Sequence, residues 1–279
     1  MPYGSASSSE EATRSYYGTA DVDAFYDAVW GGESIHTGIY ARADESVADA
    51  SRRTIERAAD NVSDLVRPGS SVLDLGSGYG GPTRYLAERF GCRVTALNLS
   101  DTQNQRHRAT NAERGLDHLI EVVTGSFHDI PYPDHRFDVV WSQEAFCHSG
   151  DRPRLLSEAV RVLKPEGALV FTDVMAAEDT PAAALHAAVS RLGVDALATP
   201  HFYRRTLAGL GLSPVDFDDR SDQLLHHYER ITEETRRREQ ELRRVISPAY
   251  VDGLLANLPL WVAAARREEL RWGIFHCRA

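Results

Sequence analysis

The run Ser71-Val72-Leu73-Asp74-Leu75 leads straight into Gly76-Ser77-Gly78-Tyr79-Gly80-Gly81, and a helical pattern follows from about Pro82 to Phe90. An apolar segment that ends in an acid and then breaks into glycines predicts a buried parallel strand, a tight turn and a helix N-terminus. Glycines at such a turn let a ligand touch bare backbone N–H groups. The spacing fits both G-x-G-x-G (Gly76, Gly78, Gly80) and the dinucleotide fingerprint G-x-G-x-x-G (Gly76, Gly78, Gly81). The loop alone leaves both readings open, and the segments after it decide between them.

Arg93–Leu97 predicts a second strand, with Asn98-Leu99-Ser100 leaving its end. A nicotinamide-binding unit usually carries Asp or Glu there for the ribose hydroxyls. Asn98 can also serve a ribose, since it both accepts and donates. Ser100 or Asp101 can cap the next helix, which runs through Gln103 and Arg106 to Glu113. Further strands are expected at Leu119–Thr124, Phe137–Gln143 and Ala168–Met175, with a helix from Arg152 to Leu163 that stops at Lys164-Pro165-Glu166-Gly167. Strands alternating with helices imply an α/β fold with a parallel sheet and ligands at the carboxyl ends of the strands.

The flanks are expected to be helical. Residues 1–9 resemble a frayed tail, and from Glu10 the pattern is helical and aromatic, with Tyr16, Tyr17, Phe25, Tyr26 and Trp30. The glycine-punctuated loop 31–40 follows, so these rings form either a strap packed on the domain or a lid that lines a small pocket together with His36. A helix is expected over Ser46–Val66, with Arg52 and Arg53 in it and Pro68-Gly69 as its stop. Pro181–Leu192 predicts an inserted helix, His201–Gly209 another, and Ser213–Phe217 strand six. Gln223–Arg267 is expected to be helical with breaks near Pro248 and Pro259, its i,i+4 pairs such as Glu239/Arg243 marking a solvated face. A last strand closes at Arg271–Cys277.

Charge narrows the partners. The net charge is −10, and Lys164 is the only lysine among 31 basic residues. An acidic, lysine-poor surface argues against nucleic acid, which wants a basic face. It suits a salt-adapted source, although a G+C-rich genome favours Arg over Lys in the same way. Cys92, Cys147 and Cys277 are scattered, which fits a reducing cytosol and neither a disulfide nor a metal framework. The sequence has no apolar run of about 18 residues and no apolar signal core, so a cytoplasmic protein without a membrane span is expected.

Leu73–Gly81, Asn98-Leu99-Ser100, Gly125-Ser126-Phe127, Phe137–Glu144 and Arg161–Gly167 together resemble the class I S-adenosylmethionine-dependent methyltransferases. A dehydrogenase would not need the Phe-Asp-Val-Val and Leu-Lys-Pro-x-Gly segments. Within that fold the chain resembles the sarcosine/dimethylglycine N-methyltransferases that make glycine betaine. The segments that carry this include Phe25-Tyr26, Trp30–Tyr40, Ala48–Thr54, Trp141–Ser149, Thr199–Leu207 and Trp272–Phe275. The resemblance implies a Rossmann-like doubly wound sheet with an N-terminal helical lid (1–45), a cofactor-binding core (46–176), and a remainder (177–279) that completes the sheet and adds helical insertions on the substrate side. It also implies S-adenosylmethionine, released as S-adenosylhomocysteine, held by Gly76, Ser77 and Gly78. The ribose falls to Asn98, with Leu99 and Gln103 beside it, the adenine to Ser126 and Phe127, and the methionine end to Gln143 under Tyr26 and Gly38. Ser126 stands where many class I enzymes place an acid.

The chemistry adds its own demands. An alkyl amine with a pKa of roughly 10.4 is about one part in a thousand free base near pH 7.5, a penalty of about 4 kcal/mol. Desolvation reduces that, and His36, His148 or Asp173 could take the proton. A quaternary ammonium product is held well by aromatic faces, for which Tyr26, Trp30, Tyr40 and Tyr203 are the candidates, with Trp272 more suited to the core. The carboxylate of a small amino-acid substrate wants a fork donor, Arg204 first and Arg52 second. An O-methyltransferase of a natural product or sugar, with His148 and Asp173 as base and orienter, is the alternative enzyme. A non-catalytic S-adenosylmethionine-binding module is the alternative of another class. Either a monomer or a homodimer is compatible with the sequence.

Overall fold

The computed structural model describes residues 10–11, 19–190, 193–194 and 196–279. Tyr16 and Tyr17 lie outside the described residues. Ahead of the sheet lie α1 (Ala20–Trp30) and α2 (Val47–Asp60), the second capped by Ser46, whose Oγ accepts from Asp49 N at 3.0 Å. The alternating core follows as β1 (Ser71–Leu75), α3 (Gly81–Phe90), β2 (Arg93–Asn98), α4 (Asp101–Glu113), β3 (Ile120–Thr124), β4 (Phe137–Gln143), α5 (Arg152–Arg161) and β5 (Leu163–Ala176). The remainder is α6 (Ala182–Val189), α7 (Pro200–Gly209), β6 (Val215–Asp219), α8 (Ser221–Arg237), α9 (Glu239–Val245), α10 (Pro248–Arg266) and β7 (Leu270–Arg278).

One seven-stranded sheet runs in the order β3-β2-β1-β4-β5-β7-β6. The first five strands of that order are mutually parallel, and β7 pairs antiparallel with both β5 and β6. All five residues of β1 are buried, as a strand covered by helices on both faces requires. The chain winds outward in opposite directions from β1 and β4, so a crevice opens at their carboxyl ends. Separate apolar cores fill the two faces, Leu73, Phe146 and Phe171 on one and Val72, Trp141 and Ile274 on the other. Phe171 of β5 and Phe275 of β7 stack at 4.8 Å, joining the antiparallel edge to the parallel part. A third core packs α1 against α8, α9 and α10 through Phe25, Ile231, Leu242 and Leu254, roofing the crevice.

Two expectations about elements are corrected. Lys164-Pro165-Glu166-Gly167 does not separate α5 from a strand starting at Ala168. It lies within β5 as an irregularity where the register jumps from Phe137↔Leu163 to Val139↔Ala168. Lys164 Nζ there contacts Asp138 Oδ1 at 2.9 Å, and Asp138 Oδ2 accepts from Ser71 N at 2.8 Å, so the motif ties the starts of β1, β4 and β5 together. Pro259 does not end α10, which passes through it, whereas Pro248 opens that helix as its first residue. On the face of Glu233–Arg243 the expected Glu239/Arg243 pair forms at 2.9 Å, but Arg237 reaches Glu234 at i−3 and Arg238 reaches Glu241, so the expected Glu233/Arg237 and Glu234/Arg238 pairs are replaced. Among the described residues, no helix is long and apolar enough to cross a membrane.

Candidate active site

A cavity sits over the carboxyl ends of β1, β2 and β4, floored by the glycine turn and roofed by α1, the segment after it, α8 and α10. Gly76 has a φ of 74° and donates its N–H to Leu97 O at 2.8 Å, which holds the turn against β2. A side chain there would collide with Ala145, so the position needs glycine both for its conformation and for space. Beneath the turn, Asp74 is buried and accepts from Thr83 Oγ1 at 2.5 Å, while burial pushes its carboxyl up to about 7. No side chain caps the N-terminus of α3.

Several polar atoms of the floor are buried and lack partners among the described residues: Ser77 Oγ and both amide atoms of Gln143. Such atoms are costly to desolvate unless a ligand meets them. Asn98 spends its amide N–H groups on Gln103 Oε1 and Asn104 Oδ1, each at 3.1 Å, so its carbonyl oxygen is the atom left to accept from a hydroxyl. Leu99, Gln103 and Phe127 line the same end of the cavity. Ser126 does not line it. Its hydroxyl donates to Glu10, which also lies 3.0 Å from His128 Nδ1, so Glu10 brings a carboxylate to the loop where the motif lacks one.

The roof is stitched down residue by residue. Trp30 Nε1 and Ser51 Oγ both donate to His36 O, at 3.2 and 2.6 Å. Thr37 gives its N–H and its hydroxyl to the two oxygens of Glu144, at 2.7 and 3.1 Å. Gly38 N donates to His227 Nδ1 at 3.2 Å, Ile39 N to Ala50 O at 3.1 Å, and Tyr40 N to Gln223 Oε1 at 2.8 Å. Gly38 therefore acts as a backbone anchor outside the cavity lining, and an added Cβ would come within 2.5 Å of Ala50 Cβ. The segment is a packed strap, and Tyr26, Trp30 and His36 still line the space below it. Burial holds His36 down at about 4.

Four of the proposed substrate residues are placed elsewhere. Tyr40 aims its hydroxyl at His227 Nδ1, 2.9 Å away, and packs on His226. Tyr203 is fully buried and donates to Asp173 Oδ2 at 2.6 Å. Arg204 is exposed with its guanidinium over Phe217, because Tyr203 and Leu207 are the residues α7 buries. Arg52 is exposed, paired with Glu56 at 3.2 Å and lying over Tyr85. Asp173 also accepts from Cys147 N at 3.1 Å, so it braces β5 against the 146–148 turn and does not line the cavity. His148 does line it, half-buried. Trp272 is core, with Nε1 donating to Glu144 Oε1 at 3.1 Å.

Sequence reasoning missed Glu144, His227, Tyr228 and Trp261, all of which line the cavity. Glu144 adopts a φ of 49°, and burial, above the influence of its three donors, raises its carboxyl to about 7. Tyr228 and Trp261 stack at 4.6 Å and 10°, joining Tyr26 and Trp30 around the space. The available signal was a His-His-Tyr run on a helix otherwise rich in charge.

This sheet order, with a glycine turn and unmet polar atoms at the switch point, defines a class I S-adenosylmethionine-dependent methyltransferase. The methyltransferase-domain family matches residues 73–171. The chain is 47% identical over 268 residues to the sarcosine/dimethylglycine N-methyltransferase of Halorhodospira halochloris, covering 96% of each chain. It is also 47% identical to the glycine/sarcosine/dimethylglycine N-methyltransferase of Actinopolyspora halophila, covering 98% of this chain and 48% of that longer protein. A crystal structure from Galdieria sulphuraria, described as a sarcosine dimethylglycine methyltransferase, superposes with a TM-score of 0.86 at 34% identity, covering 92% of this chain and 97% of the other. The chain belongs to the sarcosine/dimethylglycine N-methyltransferase family.

Proposed function

We propose that this enzyme methylates the nitrogen of dimethylglycine, and of sarcosine, to make glycine betaine, an osmoprotectant. The observation that carries the reading is the ring-walled cavity joined to the unmet polar floor. Tyr26, Trp30, Tyr228 and Trp261 line the same cavity as the glycine turn. S-adenosylmethionine supplies a methyl group already activated on a sulfonium. Gly76, Ser77 and Gly78 offer the turn, Asn98 Oδ1 takes a ribose hydroxyl, and Gln143 serves the methionine end.

Alignment and exclusion of water are then the work left to the protein. A buried cavity disfavours the ammonium form and raises the free-base fraction. His148 is the proton acceptor best placed to pass a proton on, since it borders the cavity and is only half-buried. His36, buried and held at about 4, retains a proton poorly. The rings stabilise the positive charge once it has moved to nitrogen, by about 0.5–2 kcal/mol each. An O-methyltransferase built on His148 and Asp173 is not favoured, because Asp173 is spent on Tyr203 and Cys147. The three cysteines are buried and unpaired, which supports a reducing compartment such as the cytoplasm.

Incubation with methyl-labelled donor and glycine, sarcosine or dimethylglycine separately tests the assignment. Label is expected in dimethylglycine and sarcosine. Transfer to neither, with transfer to a hydroxyl acceptor instead, would overturn it.

A further inference from the structure

On the reading above the cavity receives a carboxylate, yet no arginine or lysine is among the described residues that line it. Arg204 and Arg52 both point away, to Phe217 and Glu56. The anion must therefore meet uncharged donors, and one ring is set up to be such a donor.

His227 is on α8, 2% exposed, with its ring edge-on to Trp30 at 5.6 Å, and it lines the cavity. Its Nδ1 receives the backbone N–H of Gly38 at 3.2 Å. A backbone N–H can only donate, so Nδ1 is the accepting nitrogen and, in the neutral ring, the proton resides on Nε2. Burial lowers this imidazole to about 3, with His226 and His36 adding to the effect, so the ring is neutral near pH 7. No described residue bonds to Nε2, while Nδ1 is met by Gly38 N and the Tyr40 hydroxyl.

We infer that His227 Nε2–H holds the carboxylate of the acceptor amine, fixing which end of the substrate faces the methyl donor. The same tautomer makes His227 unable to take the ammonium proton, since the lone pair on Nδ1 faces both the Gly38 N–H and the Tyr40 hydroxyl, 2.9 Å away. An N–H donor at one wall and aromatic faces at the others sort a zwitterion end from end. An amine without an anionic group finds no partner for that N–H, and the unmet donor counts against it. The inference rests on the substrate proposed above.

Asparagine and glutamine separate the two faces of the ring. His227→Asn places a side-chain oxygen near the Nδ1 position, where it still accepts from Gly38 N, and nothing reaches the Nε2 position. His227→Gln carries an amide N–H out to that position. With methyl-labelled donor and dimethylglycine, His227→Asn is expected to raise KM about tenfold to a hundredfold, the range for a lost hydrogen bond to a charged group, with kcat at saturation little changed. S-adenosylhomocysteine affinity by calorimetry should stay at the wild-type value, and His227→Gln should recover part of the lost KM. An unchanged KM in His227→Asn overturns the inference and leaves the substrate assignment standing. A parallel loss of S-adenosylhomocysteine affinity also overturns it, by showing that the ring serves the strap alone. Wild-type protein that transfers no methyl group to dimethylglycine removes the substrate assignment and this inference together.

Discussion

A carboxylate that accepts three hydrogen bonds would ordinarily ionise easily, but at Glu144 burial outweighs those bonds and carries the group to about 7. Its oxygens hold Thr37 of the strap and Trp272 of β7 at once. Glu144→Gln keeps an acceptor for Thr37 N and should cost no more than about 1 kcal/mol of unfolding free energy. Glu144→Leu strands the Thr37 N–H and the Trp272 Nε1–H and should cost about 2–4 kcal/mol, from one to two unmet donors. Urea unfolding of the two variants checks the ordering, and equal losses would sink it. At this scale the sequence was informative where a motif fixes a residue beside a strand end. The place of Asn98 and Gln143 in the cavity lining was legible that way. His227 was not, because its meaning comes from Gly38, 189 residues away in sequence. Arg204 was misjudged although Tyr203 and Leu207, four apart, already turn it outward.

Among elements, the strap after α1 matters most, because it joins α2, β4 and α8 through successive residues. Its closest approach is at Gly38, where a Cβ would sit 2.5 Å from Ala50 Cβ and 2.8 Å from Ala50 backbone carbon. Gly38→Ala must push the strap off the start of α2, and overpacking of this kind costs roughly 1–3 kcal/mol. A displaced strap loosens His227 and the cavity roof together. The expected result is a KM that rises for both donor and acceptor, with Tm lowered. A variant with wild-type kinetics would show that the strap moves freely, against its bonds. The strap itself was foreseen from its glycines and aromatic neighbours. Whether it is packed or open was not, since that depends on partners contributed by α8, far along the chain. The irregularity in β5 was hidden for a related reason: Pro and Gly suggest a break, and only pairing with β4 keeps the strand continuous through them.

For the whole molecule, two sets of buried groups pull stability in opposite directions with pH. His36, His107 and His227 are held at about 4, 3 and 3 by burial. Unfolding lets each take a proton below about 6.5, so their contribution is lost as pH falls from there toward 4. Asp74, Glu144 and Asp173 are raised to about 7, 7 and 6. Unfolded carboxyls lose their protons near 4 while the folded ones keep them, so that contribution is lost as pH rises from about 4 toward 7. His107 isolates one side of the balance. It is buried in α4, both ring nitrogens lack partners among the described residues, and it takes no part in the cavity lining. His107→Gln should flatten the acid limb. Between pH 6.5 and 5 it should lose about 2 kcal/mol less than the wild type, at about 1.4 kcal/mol per pH unit. Unfolding free energies with the same pH slope for both proteins would refute the assignment. The fold as a whole was largely legible, because strand and helix signals alternate over 71–176. The third core joining α1 to α8–α10 was not, since an apolar stripe names no partner.

The sheet order carries a consequence for how the chain is built. β7 is the last strand in sequence, yet it lies inside the sheet, bonded along nine positions to β5 and five to β6. During synthesis from the amino end, β5 therefore has an unsatisfied row of backbone groups until Leu270–Arg278 has emerged, and β6 has no neighbour at all. The glycine turn and its parallel strands can assemble early. Glu144 and Asp173, which lean on Trp272 and on the closed β5–β7 pair, take up their places only once β7 has joined the sheet.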